Sequence, residues 1–269
     1  MRNMTIPLVA SRINALTASA RLPSAIDVAI EVVQETGSTN ADLLARLDDL
    51  TSATLLAAEM QTAGRGRAGR AWRSNPAQAL TFSLAWKFGV PLPSLVGLPL
   101  AVGVILADVL AGFGVDTRLK WPNDVLKEGN KLAGILIETA SSATLAAHEI
   151  WAVIGIGVNM TVTDQLTADI GKAVADMPDL DRNLLLASLL TALTAGLMNF
   201  EQYGFKLFMA RWNALDAYAG EAVCILDRGQ LLHEGRAIGV DATGRLLLET
   251  VNGRIAVMAG DVSLRKQDN

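Results

Sequence analysis

Cysteine is almost absent: Cys224 is the single one among 269 residues, so no internal disulfide can form and a reducing, cytoplasmic setting is the expectation. Histidine is nearly as scarce. His148 and His233 are the only two; they lie far apart, have no cysteine at metal-ligand spacing, and are both read as structural. Positive charge is also in deficit, with 23 Lys and Arg against 27 Asp and Glu for a net charge of −4. That balance argues against a general nucleic-acid binder, which draws on a broad basic surface. A membrane-crossing run is missing too. The apolar stretch Leu95 to Ala107 contains Pro99, ends at Asp108 and falls short of the ~20 residues a span needs, so it reads as a buried helix. No secretory apolar segment opens the chain. Residues 1–26 carry Arg2, Arg12 and Arg21 with no acid, and read as a tail or a short docked helix.

The chain is 51% apolar and long enough for one large domain plus a small one. Against its acidic background stands one local concentration of positive charge, Gln61-Thr62-Ala63-Gly64-Arg65-Gly66-Arg67-Ala68-Gly69-Arg70-Ala71-Trp72-Arg73. Glycines let the backbone approach a ligand closely, and arginine forks grip phosphate or carboxylate oxygens in pairs. The plain alternative is a solvated basic loop. Its position between two strand-like stretches, Thr54 to Met60 and Ala79 to Trp86, favours an anion-binding connection.

Residues 27–36 read as a first strand, followed by Gly37-Ser38-Thr39-Asn40, whose polar side chains cap a helix over 41–50. A buried helix is expected over 94–113. Arg118 to Leu126 and Lys131 to Glu138 bracket a Lys-Glu-Gly-Asn turn and read as a hairpin. Ile150 to Met160 is another strand, with Gly155 and Gly157 on one face by two-residue alternation. Gly134 and these two glycines remove side chains where a cavity could form. Residues 160–177 are polar and without aromatics; helices follow over 181–200 and 204–216. After Gly220 the spacing changes to short strands over 221–226, 230–240, 246–250 and 254–258, separated by Gly-containing turns, which suggests a small β-barrel or sandwich. The expected division is a segment 1–26, a large domain 27–218 and a small domain 219–269.

Gly64-Arg65-Gly66-Arg67-Ala68-Gly69-Arg70 with Trp72, Lys120-Trp121-Pro122-Asn123-Asp124, Lys131-Leu132-Ala133-Gly134-Ile135-Leu136 and Gly155-Ile156-Gly157-Val158-Asn159-Met160 resemble, in order, the motif set of biotin protein ligases. The resemblance runs over about residues 30–265. It implies an α+β fold of the class II aminoacyl-synthetase-like kind, a mixed sheet flanked by helices, with a C-terminal SH3-like barrel. It further implies that biotin and ATP react to biotinyl-5′-AMP, with Mg2+ assisting, and that biotin passes to a lysine of a biotin carboxyl carrier domain. Relatives are often homodimers. Too few residues precede the ligase motifs for a helix-turn-helix module, so neither a repressor role nor DNA as a partner is expected, and no membrane.

Carried onto this chain, the resemblance makes Arg65, Arg67 and Lys131 the holders of the biotin carboxylate and the α-phosphate. Ser38, Thr39, Asn40 and Gln61 face the biotin head, with Gly64, Gly134 and Gly157 leaving room and Trp72 as a wall. Arg70 grips phosphate or orders the loop. Asn123 and Asp124 are site residues, Asp124 orienting Lys131, a metal or the incoming amine. Asn159 contacts nucleotide or metal, and Arg265 reaches the triphosphate from the small domain. Two departures stand out: Ala68 replaces an arginine common in relatives, and no aromatic follows Asn159 to stack on adenine, leaving Ile170 or Val174 for that contact. A lipoate or octanoate ligase of similar fold is the near alternative, and a nucleic-acid-binding module using the Arg-Gly loop is the distant one.

Overall fold

The computed structural model describes residues 6–20, 27–73, 78–141, 148–162, 174–177, 180–260 and 262–267. The large sheet contains β1 (Val28–Thr36), β2 (Ala53–Gln61), β3 (Ala79–Phe88), β4 (Arg118–Lys120), β5 (Asp124–Lys127), β6 (Asn130–Ala140) and β7 (Ile150–Asn159), in the order β1-β2-β3-β7-β6-β5-β4. Only β1 and β2 are parallel, because the helix α2 (Thr39–Ala45) crosses between them; every other neighbouring pair is antiparallel. β3 is buried at every residue but Lys87, as a central strand covered on both faces must be.

One face of the sheet lies under α1 (Ala10–Ala20), α3 (Leu98–Gly112), α4 (Arg182–Tyr203) and α5 (Lys206–Leu215). α3 is apolar around most of its circumference, which suits a helix enclosed in a core. With the preceding turn it forms an apolar stretch, Leu92–Gly112, of 21 residues, longer than the sequence reading allowed. This stretch and α4 are the two described helices long and apolar enough to cross a membrane, and both are largely buried inside the protein. The segment before α1 is pinned by buried polar groups. Arg182 pairs with Glu59 at 2.7 Å and donates to the Ile6 carbonyl, while the Asn183 amide bonds Pro7 and Val9.

The second sheet is fully antiparallel: β8 (Ala222–Asp227), β9 (Gln230–Val240), β10 (Leu246–Thr250), β11 (Gly253–Val257) and β12 (Val262–Lys266), in the order β11-β10-β9-β8-β12. Sequence spacing predicts four of these strands and misses β12. The architecture is α+β, with the SH3-like unit present as an open five-stranded sheet. The two sheets are tied at Trp121, which is buried and donates from Nε1 to the Gly244 carbonyl at 3.1 Å. Ala217 N adds a bond to the Leu119 carbonyl.

Two expected elements differ in extent. α2 stops at Ala45, with Arg46 outside helical geometry and drawn to Glu31 at 2.6 Å. The first arm of the expected hairpin is two short strands, β4 and β5, paired around a turn that contains the cis Trp121-Pro122 bond.

Candidate active site

On the face opposite the helices, the sheet floors a cavity of about 340 Å3 that runs from the N-terminus of α2 to the second sheet. Its roof is the arginine loop, a narrow hairpin closed by the Trp72 N to Gly64 carbonyl bond at 2.9 Å and the Arg65–Ala71 bridge. At its tip Ala68 and Gly69 both take left-handed φ, 54° and 69°.

The inner end of the cavity is neutral, polar and buried. Ser38 caps α2 through a long contact with Ala41 N. Thr39 N donates to Gln61 Oε1 at 2.9 Å, and Thr39 Oγ1 lies 2.6 Å from Ser83 Oγ and 3.2 Å from Gln61 Oε1. Ser83 Oγ donates to Asn40 Oδ1 at 2.5 Å. Asn40 Nδ2 donates to Glu138 Oε2 at 2.9 Å, and the same carboxylate oxygen accepts Arg65 at 2.8 Å. Asn40 packs directly against Gly155. A Cβ on Gly155 would lie 2.3 Å from its Oδ1, so only glycine leaves it room.

The outer end gathers cations. Lys131, at the start of β6, pairs with Asp124 across the β5–β6 hairpin at 2.5 Å, and its ammonium sits 5.9 Å from the Trp72 ring centroid. Its carbonyl accepts Asn159 Nδ2 at 3.3 Å and Ala175 N at 3.0 Å. Arg67 donates to Asn123 Oδ1 at 3.1 Å and to the Gly260 carbonyl of the second sheet's last loop. Asn123 Nδ2 is held in turn by the Ile135 carbonyl at 2.7 Å. Arg70 and Arg265 also line this end. Tyr218 closes it, with Lys120 and Lys266 ammoniums 5.6 and 5.2 Å from its ring. Burial raises the Tyr218 pKa against the lowering pull of Lys266 and Arg265. Two residues away, burial lifts the Asp216 carboxyl to about 6, against the lowering effect of its bond from Tyr218 N.

Thus Ser38, Thr39, Asn40, Gln61, Arg65, Arg67, Arg70, Trp72, Asn123, Asp124, Lys131, Gly134, Gly157 and Arg265 line one cavity. Gly64 and Asn159 do not. Gly64 instead permits the loop's own closure, since a Cβ there would lie 2.6 Å from the Trp72 carbonyl. Asn159 spends its amide on the Lys131 backbone. The room left by Gly157 is taken by the Trp72 ring, 2.5 Å from a Cβ there, and that left by Gly134 by the Lys131 ammonium, at 2.9 Å, with Trp72 at 3.3 Å. Val174 forms a backbone bridge beside Lys131, whereas Ile170 lies outside the described residues. Sequence reasoning missed Ser83, Tyr218 and Glu138. Ser83 was detectable as a hydroxyl inside an apolar strand, and Glu138 as the charge sharing alternation with Gly134.

A mixed sheet roofed by an arginine loop, with a polar inner end and a cationic outer one, defines the biotin/lipoate ligase class. Residues 30–159 match the Biotin/lipoate A/B protein ligase family and residues 218–265 the Biotin protein ligase C terminal domain. The chain is 35% identical to the bifunctional ligase/repressor BirA of Escherichia coli over 89% of its own length and 75% of the relative's. It is also 35% identical to the biotin--[acetyl-CoA-carboxylase] ligase of Mycobacterium tuberculosis, over 87% and 88% of the two chains. The solved biotin protein ligase of Aquifex aeolicus, in complex with biotin and ATP, superposes with a TM-score of 0.71 at 28% identity, covering 89% and 99%. The chain belongs to the biotin protein ligase family.

Proposed function

We propose that this chain activates biotin with ATP to biotinyl-5′-AMP, releasing pyrophosphate, and transfers the biotinyl group to a lysine of a carboxylase's biotin carboxyl carrier domain. The observation that carries the reading is the polarity of this cavity. Neutral donors and acceptors at Ser38, Thr39 and Gln61 suit a cyclic urea, and the cations Arg67, Lys131 and Arg265 stand at the other end, where a carboxylate meets a phosphate. Two anions repel as the carboxylate oxygen attacks the α-phosphorus, and fixed cations offset that repulsion without reorganising. Arg67 is held for this by Asn123 and the Gly260 carbonyl, and Lys131 by Asp124. Arg65 faces Glu138, so its part is to seat the loop, while Arg70 and Arg265 receive phosphate oxygens.

The chemistry of the site fits magnesium carried on the phosphates. Among the described residues no three His, Cys, Asp or Glu cluster, and Asp124 is the one carboxylate lining the cavity. Magnesium keeps phosphate and water ligands and needs only one or two carboxylates. Bound there, it supplies further charge neutralisation on the phosphates. In the second half-reaction, Asp124 orients the incoming lysine amine beside the adenylate carbonyl.

Within this reading the partner is a carrier domain and the setting the cytoplasm, with no DNA or membrane partner; an acidic chain whose cations gather in one cleft is in keeping with it. A homodimer through the large sheet and the division into units 27–218 and 219–269 belong to the same reading. ATP–pyrophosphate exchange tests it: exchange should depend on biotin, and a carrier domain should then gain one biotinyl mass. Exchange supported by lipoate but not biotin would overturn the assignment.

A further inference from the structure

The hydrogen-bond chain at the inner end has a direction, and its shorter anchor is a charged residue outside the cavity. An ion-paired carboxylate can only accept, so Glu138 Oε2 requires the nitrogen side of the Asn40 amide, at 2.9 Å, and the Leu136 carbonyl takes the same nitrogen at 3.3 Å. The amide oxygen must then face Ser83, 2.5 Å away, and the Ser83 proton points to it. With its one proton committed, Ser83 accepts from Thr39 across 2.6 Å. The Thr39 hydroxyl thereby turns away from Gln61. Gln61 Oε1 cannot supply a proton either, because it accepts Thr39 N at 2.9 Å. Two acceptor oxygens, Thr39 Oγ1 and Gln61 Oε1, are left 3.2 Å apart at the cavity wall with no proton between them.

We propose that Glu138, acting through Asn40 and Ser83, is a specificity-determining positioning residue that makes the Thr39–Gln61 pair an acceptor site for a ligand N–H. The inference rests on the biotin reading for its probe, since a cyclic urea offers such an N–H. Without the carboxylate the Asn40 amide keeps only the longer Leu136 contact at 3.3 Å; once it reverses, the Thr39 proton can turn to Gln61 Oε1, and the wall no longer prefers a donor. Gly155 gives Asn40 the space for this contact, since a Cβ there would lie 2.3 Å from Asn40 Oδ1.

The test is calorimetric titration with biotin and with the two cyclic carbamate isosteres in which one or the other ring N–H is replaced by oxygen. Wild-type protein should prefer biotin over one of these isosteres by at least tenfold, the scale of one hydrogen bond against two facing acceptors. Glu138→Met, similar in length but with no oxygen to accept from Asn40, should weaken biotin about tenfold while leaving that isostere unchanged, so the preference collapses. Ser83→Ala cuts the chain at another point and should collapse the same ratio. Glu138→Asp keeps the charge and should restore part of it. A merely structural role would weaken all ligands equally, and that result, or an unchanged ratio in Glu138→Met, would overturn the proposal. Wild-type protein that binds no biotin would instead overturn the ligase reading, and this inference with it.

Discussion

The two ends of the cavity are built by opposite rules. At the inner end every polar side chain has a partner, Ser83 is fully buried, and charge enters only as the Glu138–Arg65 pair. At the outer end the Lys131 and Asp124 side chains are 37% and 22% exposed, and Trp72 Nε1 and the nearby Asp216 Oδ2 are buried without a partner. The inner end is rigid because leaving any member unpaired is costly. The outer end holds cations whose mutual repulsion is relieved when anions arrive. One end therefore selects, and the other reacts.

Removing a cation should damage chemistry and spare the fold. Lys131→Ala and Arg67→Ala are each expected to lower biotin-dependent pyrophosphate exchange by at least a hundredfold, about 3 kcal/mol of transition-state stabilisation. Their melting temperatures should stay close to wild type, because a half-exposed ion pair contributes little to stability. A variant that loses stability in step with activity would erase the distinction between the ends. The converse test is Gly155→Ala. The added methyl group meets Asn40 Oδ1 at 2.3 Å, so overpacking of about 1–3 kcal/mol should appear in the melting curve together with weaker biotin binding. Unchanged biotin affinity would mean that the inner network tolerates movement.

How much of this could be read from the sequence follows the same division. The arginine loop, Lys131 with Asp124, and the glycine-marked strands are contiguous motifs, and most of the fold follows from local pattern. Ser83 and Glu138 are different. Their neighbourhood exists only because β3, β7 and β6 lie side by side, bringing Ser83 opposite Gly155 and Gly155 opposite Leu136. No spacing within one strand carries that register. Asn159 is a third case: it falls in a ligase motif, and its amide supports the Lys131 backbone. β12 escaped because a short edge strand following a loop carries little pattern of its own, although it brings Arg265 to the cavity.

Asp216 tests what underlies the outer end. Its folded value of about 6 stands above the ordinary 3.8 through burial. Between these values the native state retains a proton that the unfolded chain releases, so its contribution to stability falls as pH rises through that window. Asp216→Asn should therefore stabilise the protein near pH 7, by up to about 3 kcal/mol from the shift and about 1–2 once its desolvated Nδ2 is counted. The gain should vanish below about pH 4, where both states of the wild type are protonated. Urea titrations at pH 4 and 7 read this directly. A gain independent of pH would place its origin in packing.

The smallest effect is expected at the loop tip. Ala68 sits at φ 54° and ψ 39°, exposed, in a conformation that costs an L-residue about 1 kcal/mol. Glycine removes that cost but adds freedom to the unfolded chain, and the two terms oppose each other. Ala68→Gly should thus raise stability by no more than about 0.5 kcal/mol, with biotin affinity at the inner end unchanged. Its informative readout is retention of the adenylate at the outer end. If the tip's strain holds the hairpin over the bound intermediate, the variant releases adenylate faster at equal biotin affinity. If release is also unchanged, the Trp72–Gly64 closure alone holds the roof in place, and the cations beneath it work on a loop whose tip is only a turn.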